Sequence, residues 1–373
     1  MPRALVYIDG RSLDELGVEP LLRRIKIVHT RRLASTLALE LINVGNRFGR
    51  SKTFHEGAVI IVRLQSREEM ISVGQFDLAR IQYRYGSVSR LVLFGMGPEF
   101  QLAREPRRRT FQRMSDSDIA TRIANEQGLS TDVTATQPAF EQVSQIDVSD
   151  LQLLYERAQR YGFDVYVQNQ TLHFHALRAP EETFVYEAGS ELVVKVDLDE
   201  ILVGVGTQWE LTGRDPMRNQ PFRVTQGPEP QIGEDVSRED LLGRLTRFVG
   251  GTRLDSSQEG LQKVQALAQD AAPLIGGSLT VVGQPAMRPR HRVTLDDFEV
   301  MSGDYLVEEV QHEYLPGAPK SPFLTTAGLS REVVGRRKVV PTLEEEAPSS
   351  REVPFAPAEN LVPAMEVEST VTE

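Results

Sequence analysis

Cysteine is missing altogether from the 373 residues. That absence excludes disulfides, thiolate nucleophiles and thiolate-bound zinc or iron–sulfur clusters, and it leaves the redox compartment undecided. No run approaches the ~20 apolar residues of a membrane-spanning helix. In the opening MPRALVYIDG, Asp9 arrives before a signal-peptide apolar core is complete. The expectation is a protein made and kept in a cytosol, with no membrane partner. A strong basic excess is lacking too. Net charge is −11, but Pro341 to Glu373, with eight Glu and one Arg, contributes −7 of it, so the body carries only −4. A near-neutral body gives no reason to expect specific nucleic-acid binding. Gly-rich phosphate loops are absent as well: Gly204-Val205-Gly206 and Gly95-Met96-Gly97 lack the continuation that a dinucleotide loop requires.

What is present reads as mainly β structure with helical insertions, an α+β chain. From Ala4 to about Arg104, strand-length segments such as RRIKIVHT, STLALELIN, GAVIIVRL and SVSRLVLFG are rich in β-branched and aromatic residues and separated by turns. Leu37, Leu39 and Leu41 alternate with Thr36, Glu40 and Ile42, which predicts an antiparallel barrel or sandwich of about six strands over residues 1–105. Arg104 to Arg113 holds five arginines, with Arg107, Arg108 and Arg109 consecutive. It reads as a solvated, mobile linker, or, more sharply, as a site for an acidic neighbour in an assembly.

Residues 106–180 then read as helix, helix, hairpin. SDSDIATRIANEQGL has a capping serine at Ser115 or Ser117, one apolar face in Ile119, Ala120, Ile123 and Ala124, and a stop at Gly128. VSDLQLLYERAQRYG starts at Ser149 and ends at Gly162, and FDVYV and TLHFHA flank the turn Gln168-Asn169-Gln170. Strands return over 181–340: TFVYEAG, LVVKVDL and ILVGVGTQWEL, and then Leu279 to Val334. A polar loop from Thr212 to Val236 interrupts them. So do two predicted helices, one opened by Ser237 and Asp240 and bearing Leu241, Leu242, Leu245 and Phe248, the other carrying Leu261, Val264, Leu267, Ala268 and Ala271. Residues 341–373, with five prolines and eight Glu, predict a disordered tail. Phe355, Leu361, Val362 and Met365 within it are candidates for docking on a partner.

Candidate chemistry is thin. His173 and His175 alternate on one strand and so share a face, where they could ligate a metal. The expectation is instead two polar residues facing water opposite Leu172 and Phe174, with no third ligand nearby. His312 is expected to be a hydrogen-bonded packing residue. Glu308 and Glu309 should point to opposite faces of a strand, and Asp296-Asp297 should lie in a turn, so neither pair makes a glycosidase dyad. Asn169-Gln170-Thr171 matches a glycosylation sequon but reads as a polar turn. No catalytic, cofactor-binding or metal residue is assigned, and no enzyme activity is expected.

Two stretches carry a resemblance. Leu279 to Val334 runs as a strand ending in GQP, a strand entered through Arg288-Pro289, then SGDYLVEEVQHEY, then a return strand with Thr325 and Thr326. Ser115 to Phe174 has a Ser/Asp-rich helix start, Gln145 with Ser149-Asp150 before the second helix, and a turn ending in Thr-Leu. Together they resemble the phage late control protein D family, the tail hub of contractile-tail baseplates, which is similar to the N-terminal hub of type VI secretion spike proteins. The resemblance implies two tail-tube-like antiparallel β-barrels, the second interrupted over 212–277. It also implies a homotrimer whose six barrel units form a pseudo-six-fold ring joining the tail tube protein to a separate spike protein, among other baseplate components. Such a protein would be made in the bacterial cytoplasm and end in a virion tail or an injection-system baseplate. Arg290 departs from the family, which commonly has Gly after that Pro. A tail-associated cell-wall hydrolase and a tail adhesin or carbohydrate-binding protein are the alternative readings.

Overall fold

The computed structural model describes residues 3–331 except 32, 51–52, 67–68, 169, 177–181, 201–207, 216–219, 227–245, 250–259, 262, 265–274 and 319–320. Seven strands open the chain: β1 (Ala4–Ile8), β2 (Arg11–Ser12), β3 (Leu22–Thr30), β4 (Thr36–Ile42), β5 (Val59–Ser66), β6 (Glu69–Arg84) and β7 (Arg90–Met96). Their alternation does the sorting. Leu37, Leu39 and Leu41 of β4 are buried against Ile25, Ile27, Ile60 and Phe76, while Thr36 is exposed and Glu40 half-buried. This first core also takes in Phe48 and Phe54, packed edge to face.

A short helix, α1 (Phe100–Ala103), leads into β8 (Pro106–Met114), α2 (Asp116–Glu126), β9 (Ser130–Val133), β10 (Phe140–Ser149) and α3 (Asp150–Ala158), and then the hairpin of β11 (Phe163–Gln168) and β12 (Thr171–Ala176). The Ser115 hydroxyl accepts from the Asp118 amide and the Asp118 carboxylate accepts from the Ser115 amide, a reciprocal cap worth about 1 kcal/mol. The Ser149 hydroxyl caps α3 by accepting from the Gln152 amide. Ile119, Ile123, Leu151 and Leu154 bury against Val165, Val167, Leu172 and Phe174 to make a second core. One face of the hairpin is therefore committed to the helices, and its other face is left for something else.

The remaining strands are β13 (Thr183–Glu187), β14 (Val193–Glu200), β15 (Gln208–Asp215), β16 (Gln220–Gln226), β17 (Thr246–Val249), β18 (Ile275–Val282), β19 (Arg292–Asp296), β20 (Gly303–Tyr314) and β21 (Phe323–Arg331). A third core gathers Leu279, Val281, Val293, Leu295, Tyr305, Val307 and Val310. The mainly β class holds. The two expected barrels, however, take the form of one 13-stranded sheet whose main path runs from β14 at one end to β2 at the other, without closing into a barrel among the described residues. The join is β3 against β20, paired antiparallel from Glu309↔Thr30 to Tyr314↔Ile25. On that same edge β20 first pairs β19, from Leu306 back to Gly303. A bulge between Val307 and Glu309, seen in the pairing with β21, falls where β20 passes from one partner to the other.

Several expectations need correcting. Not all pairing is antiparallel: β13 with β19, β12 with β9 and β15 with β17 run parallel. The loop expected from Thr212 begins as a hairpin, β15 with β16. Phe248, expected on a helix, lies on β17, because pairing beside β15 outweighs a local apolar spacing. Ser237, Asp240, Leu241, Leu242 and Leu245 fall outside the described residues. So do Leu267, Ala268, Ala271, Gly204 to Gly206, Asn169 and the acidic 341–373 segment.

Candidate functional site

Cross-strand neighbours share a face of a sheet. In the β11–β12 hairpin, Asp164 is opposite His175 and Tyr166 opposite His173, and the parallel strand β9 sets Asp132 beside His173. These five residues occupy the face that the second core does not use. His173 Nδ1 lies 3.0 Å from Asp132 Oδ2, and His175 Nε2 lies 3.7 Å from the same oxygen. The Tyr166 ring stacks on His173 at 4.4 Å between centroids, and its hydroxyl is 3.4 Å from His175 Nε2. His175 is buried rather than facing water, at 3 % exposure, and its Nδ1 donates to the Ala176 carbonyl at 2.7 Å. The expected absence of a third ligand is corrected. Asp132 is a third side chain able to ligate, set beside His173, 41 positions away, by parallel pairing that no local pattern reveals.

Four of these residues, Asp164, Tyr166, His173 and His175, floor a cleft of about 540 Å³ whose walls come from the other two regions: His29, Ser35, Ser72 and Glu99 on one side, Arg288, Arg290 and His291 on the other. A buried ion network crosses it. Arg31 Nε donates to Asp164 Oδ2 at 2.9 Å and Arg31 Nη1 to Glu308 Oε1 at 3.1 Å. Arg290 Nε donates to the same Asp164 oxygen at 3.0 Å, and its Nη2 donates to the Arg31 carbonyl. Burial works against the charge of both arginines. For Arg31 the Asp164 and Glu308 carboxylates outweigh burial and the pKa rises. Arg290 shares Asp164 with Arg31 and is repelled by it, so there burial prevails and the pKa falls. Arg290 has φ 75, the left-handed backbone that favours glycine, which fits the family pattern it departs from. Its guanidinium sits 3.7 Å over the Tyr166 ring, and these side-chain contacts hold a strained residue in place.

Deeper in the cleft, Arg288 donates to the carbonyls of Ser72, Val73, Pro285 and Met287, and burial lowers its pKa to about 10. His29 is pushed down to about 3, by burial and then by Arg288. His312, pushed well below its ordinary value for the same reasons, bonds through Nδ1 to Thr325 Oγ1 at 3.1 Å and packs against His29. Both are neutral packing residues, which is the role expected of His312.

Other singled-out residues scatter. Arg107, Arg108 and Arg109 lie on β8, paired with β10, so the expected mobile linker is corrected to a strand. Their acidic neighbours come from the same chain: Asp150 and Glu126 for Arg107 and Arg109, and Asp147 for Arg108 at 2.6 Å. Glu308 turns to Arg31 and Ser330, while Glu309 is exposed. Asp296 ends β19, and Asp297 follows with φ 61. Gly95 lies on β7, where a Cβ would come within 2.8 Å of the Phe76 Cβ, so this glycine serves close packing.

Comparison with solved structures gives the fold its relatives. The prophage MuSo2 43 kDa tail protein from Shewanella oneidensis matches at a TM-score of 0.66 and 12% identity, over 89% of this chain and 99% of that one. The fold is similar to that of a phage tail protein. A tail protein from Neisseria meningitidis MC58 matches at 0.62 and 12% identity over 89% and 97%. The E. coli c3393 protein, described as a type VI secretion component similar to the T4 tail proteins gp27 and gp5, matches at 0.54 and 10% identity over 84% and 74%. No curated protein matches the chain. A family model described as the Alg8 N-terminal domain matches residues 45–199. That span begins after β4 and ends within β14, cutting the large sheet at both ends, so it corresponds to no unit of this fold.

Proposed function

We propose that the chain is a structural hub of a phage tail or a tail-like injection machine. Three copies form a ring in which the two β-regions of each alternate, matching a six-fold tube on one side and a three-fold spike on the other. The observation that carries this is the β3–β20 ladder: it joins two β-regions, each with its own core, into one continuous sheet, as an adaptor working by shape requires. Nearly full coverage of the Shewanella tail protein supports the same reading, since the likeness spans the whole architecture. The tube protein, a separate spike protein and other baseplate components are the partners. Assembly takes place in the bacterial cytoplasm, and the finished protein resides in the particle. The chain performs no catalysis in this role.

The test is electron-microscopy averaging of tail particles carrying a tagged copy. Three tags per particle at the tube–spike junction are expected. A tag at the tail periphery, or one that decorates six positions, overturns the hub and favours an adhesin. Hydrolysis of peptidoglycan fragments by the purified chain would overturn the non-enzymatic part.

A further inference from the structure

The geometry points to a divalent metal site formed by Asp132, His173 and His175, of the kind that takes Zn²⁺, with its open coordination position facing the cleft. One ring nitrogen each of His173 and His175 and an Asp132 carboxylate oxygen all lie within 4.8 Å of one another. A tetrahedral zinc with bonds of about 2.0–2.1 Å has ligand-to-ligand edges of roughly 3.3 Å. The observed 3.0 and 3.7 Å separations bracket that edge. Two imidazoles and one carboxylate suit zinc or a neighbouring first-row ion, and they are too few in oxygens for calcium or magnesium.

His175 Nδ1 donates to the Ala176 carbonyl, so in the neutral ring Nε2 carries the lone pair. That lone pair lies 3.4 Å from the Tyr166 hydroxyl and 3.7 Å from the Asp132 carboxylate, which also meets His173 Nδ1. A cation between His175 Nε2 and that carboxylate would be ligated by both. The Ala176 carbonyl then does what a backbone partner does for many metal-bound histidines, setting the tautomer and orienting the ring. The backbone also preorganises the set. β9 is a four-residue strand held to β12 by parallel pairing, and the metal would pin it there through its one carboxylate ligand. Tyr166, with its hydroxyl 3.4 Å from His175 Nε2, stands where it can bond a water on the open position.

The site does not depend on the hub reading, and its test needs no assembly. Full-length chain stripped with a chelator is titrated with zinc chloride by calorimetry, and metal content is measured after gel filtration. One equivalent per chain is expected, with a raised Tm. Asp132→Asn and His173→Gln should each weaken binding at least about 100-fold, beyond the loss typical of residues that only orient ligands. His55→Gln, far from the cluster in sequence and exposed, should change nothing. Absence of stoichiometric binding, or binding that survives both substitutions, overturns the site. Should a variant fail to fold, Co²⁺ added to the unaltered chain still decides: strong visible bands of a four-coordinate ion are expected, and weak six-coordinate bands refute it.

Discussion

The seam between the two β-regions is a backbone ladder, β3 against β20, while the seam that ties the helical region to both is a side-chain network, Arg31–Asp164–Arg290 with Glu308. A ladder tolerates many side chains, because the bonding groups belong to every residue. The ion network tolerates few: Asp164 pairs with two buried guanidiniums, and removing it leaves Arg290 without a carboxylate partner and Arg31 with only Glu308. The first seam should resist most substitutions and fail only when the backbone is blocked. The second should fail at single residues.

Blocking the ladder gives the largest effect. Gln311 pairs with Val28 on one side and Thr326 on the other, so Gln311→Pro removes a ladder donor from a strand flanked on both edges. The soluble yield of full-length chain is expected to collapse, whereas Gln311→Thr should leave it unchanged. Asp164→Ala comes next, at about 3–5 kcal/mol by denaturant unfolding, since it leaves buried charge unpaired. If it costs less than 1 kcal/mol, the contrast between the seams fails.

Acidification probes the floor of the cleft. His29 has a folded pKa near 3 against an ordinary 6.5, and His312 is shifted the same way, so the unfolded chain binds more protons across that window. Stability is complete above about pH 6.5 and should fall as pH drops, by roughly 1.4 kcal/mol per pH unit for each histidine. Glu99, whose pKa burial raises, opposes this between the ordinary carboxylate value and its raised one. A Tm unchanged between pH 6.5 and 5 would contradict the neutral assignment. Arg290→Gly should cost about 1 kcal/mol, less than Asp164→Ala, because Arg31 keeps its partner and the left-handed backbone is relaxed. Smallest is Arg122→Ala, which removes an exposed i,i+4 pair with Glu126 and should change unfolding free energy by less than about 0.5 kcal/mol.

Legibility followed the range of the interactions. The capped helices at Ser115 and Ser149 and the β11–β12 hairpin were readable because caps, turns and alternation act within a few residues. Arg107 to Arg109 were misread, since a run of like charges looks solvated until β10, Asp147, Asp150 and Glu126 are placed beside it. His173 and His175 were paired correctly on one face, but Asp132 was invisible, because a parallel strand leaves no turn signal joining it to its neighbour.

By itself, then, the sequence determined the local repertoire where caps, turns and alternation are clear: the two capped helices, the β11–β12 hairpin, the apolar faces of the first strands, and the absence of thiol chemistry. The tertiary structure alone decided that two β-regions share one sheet, that a single aspartate anchors two arginines, and that Asp132 meets two histidines. The physical reason is that strand pairing and ion pairing draw their specificity from partners distant in sequence, and only a closed set of contacts names those partners.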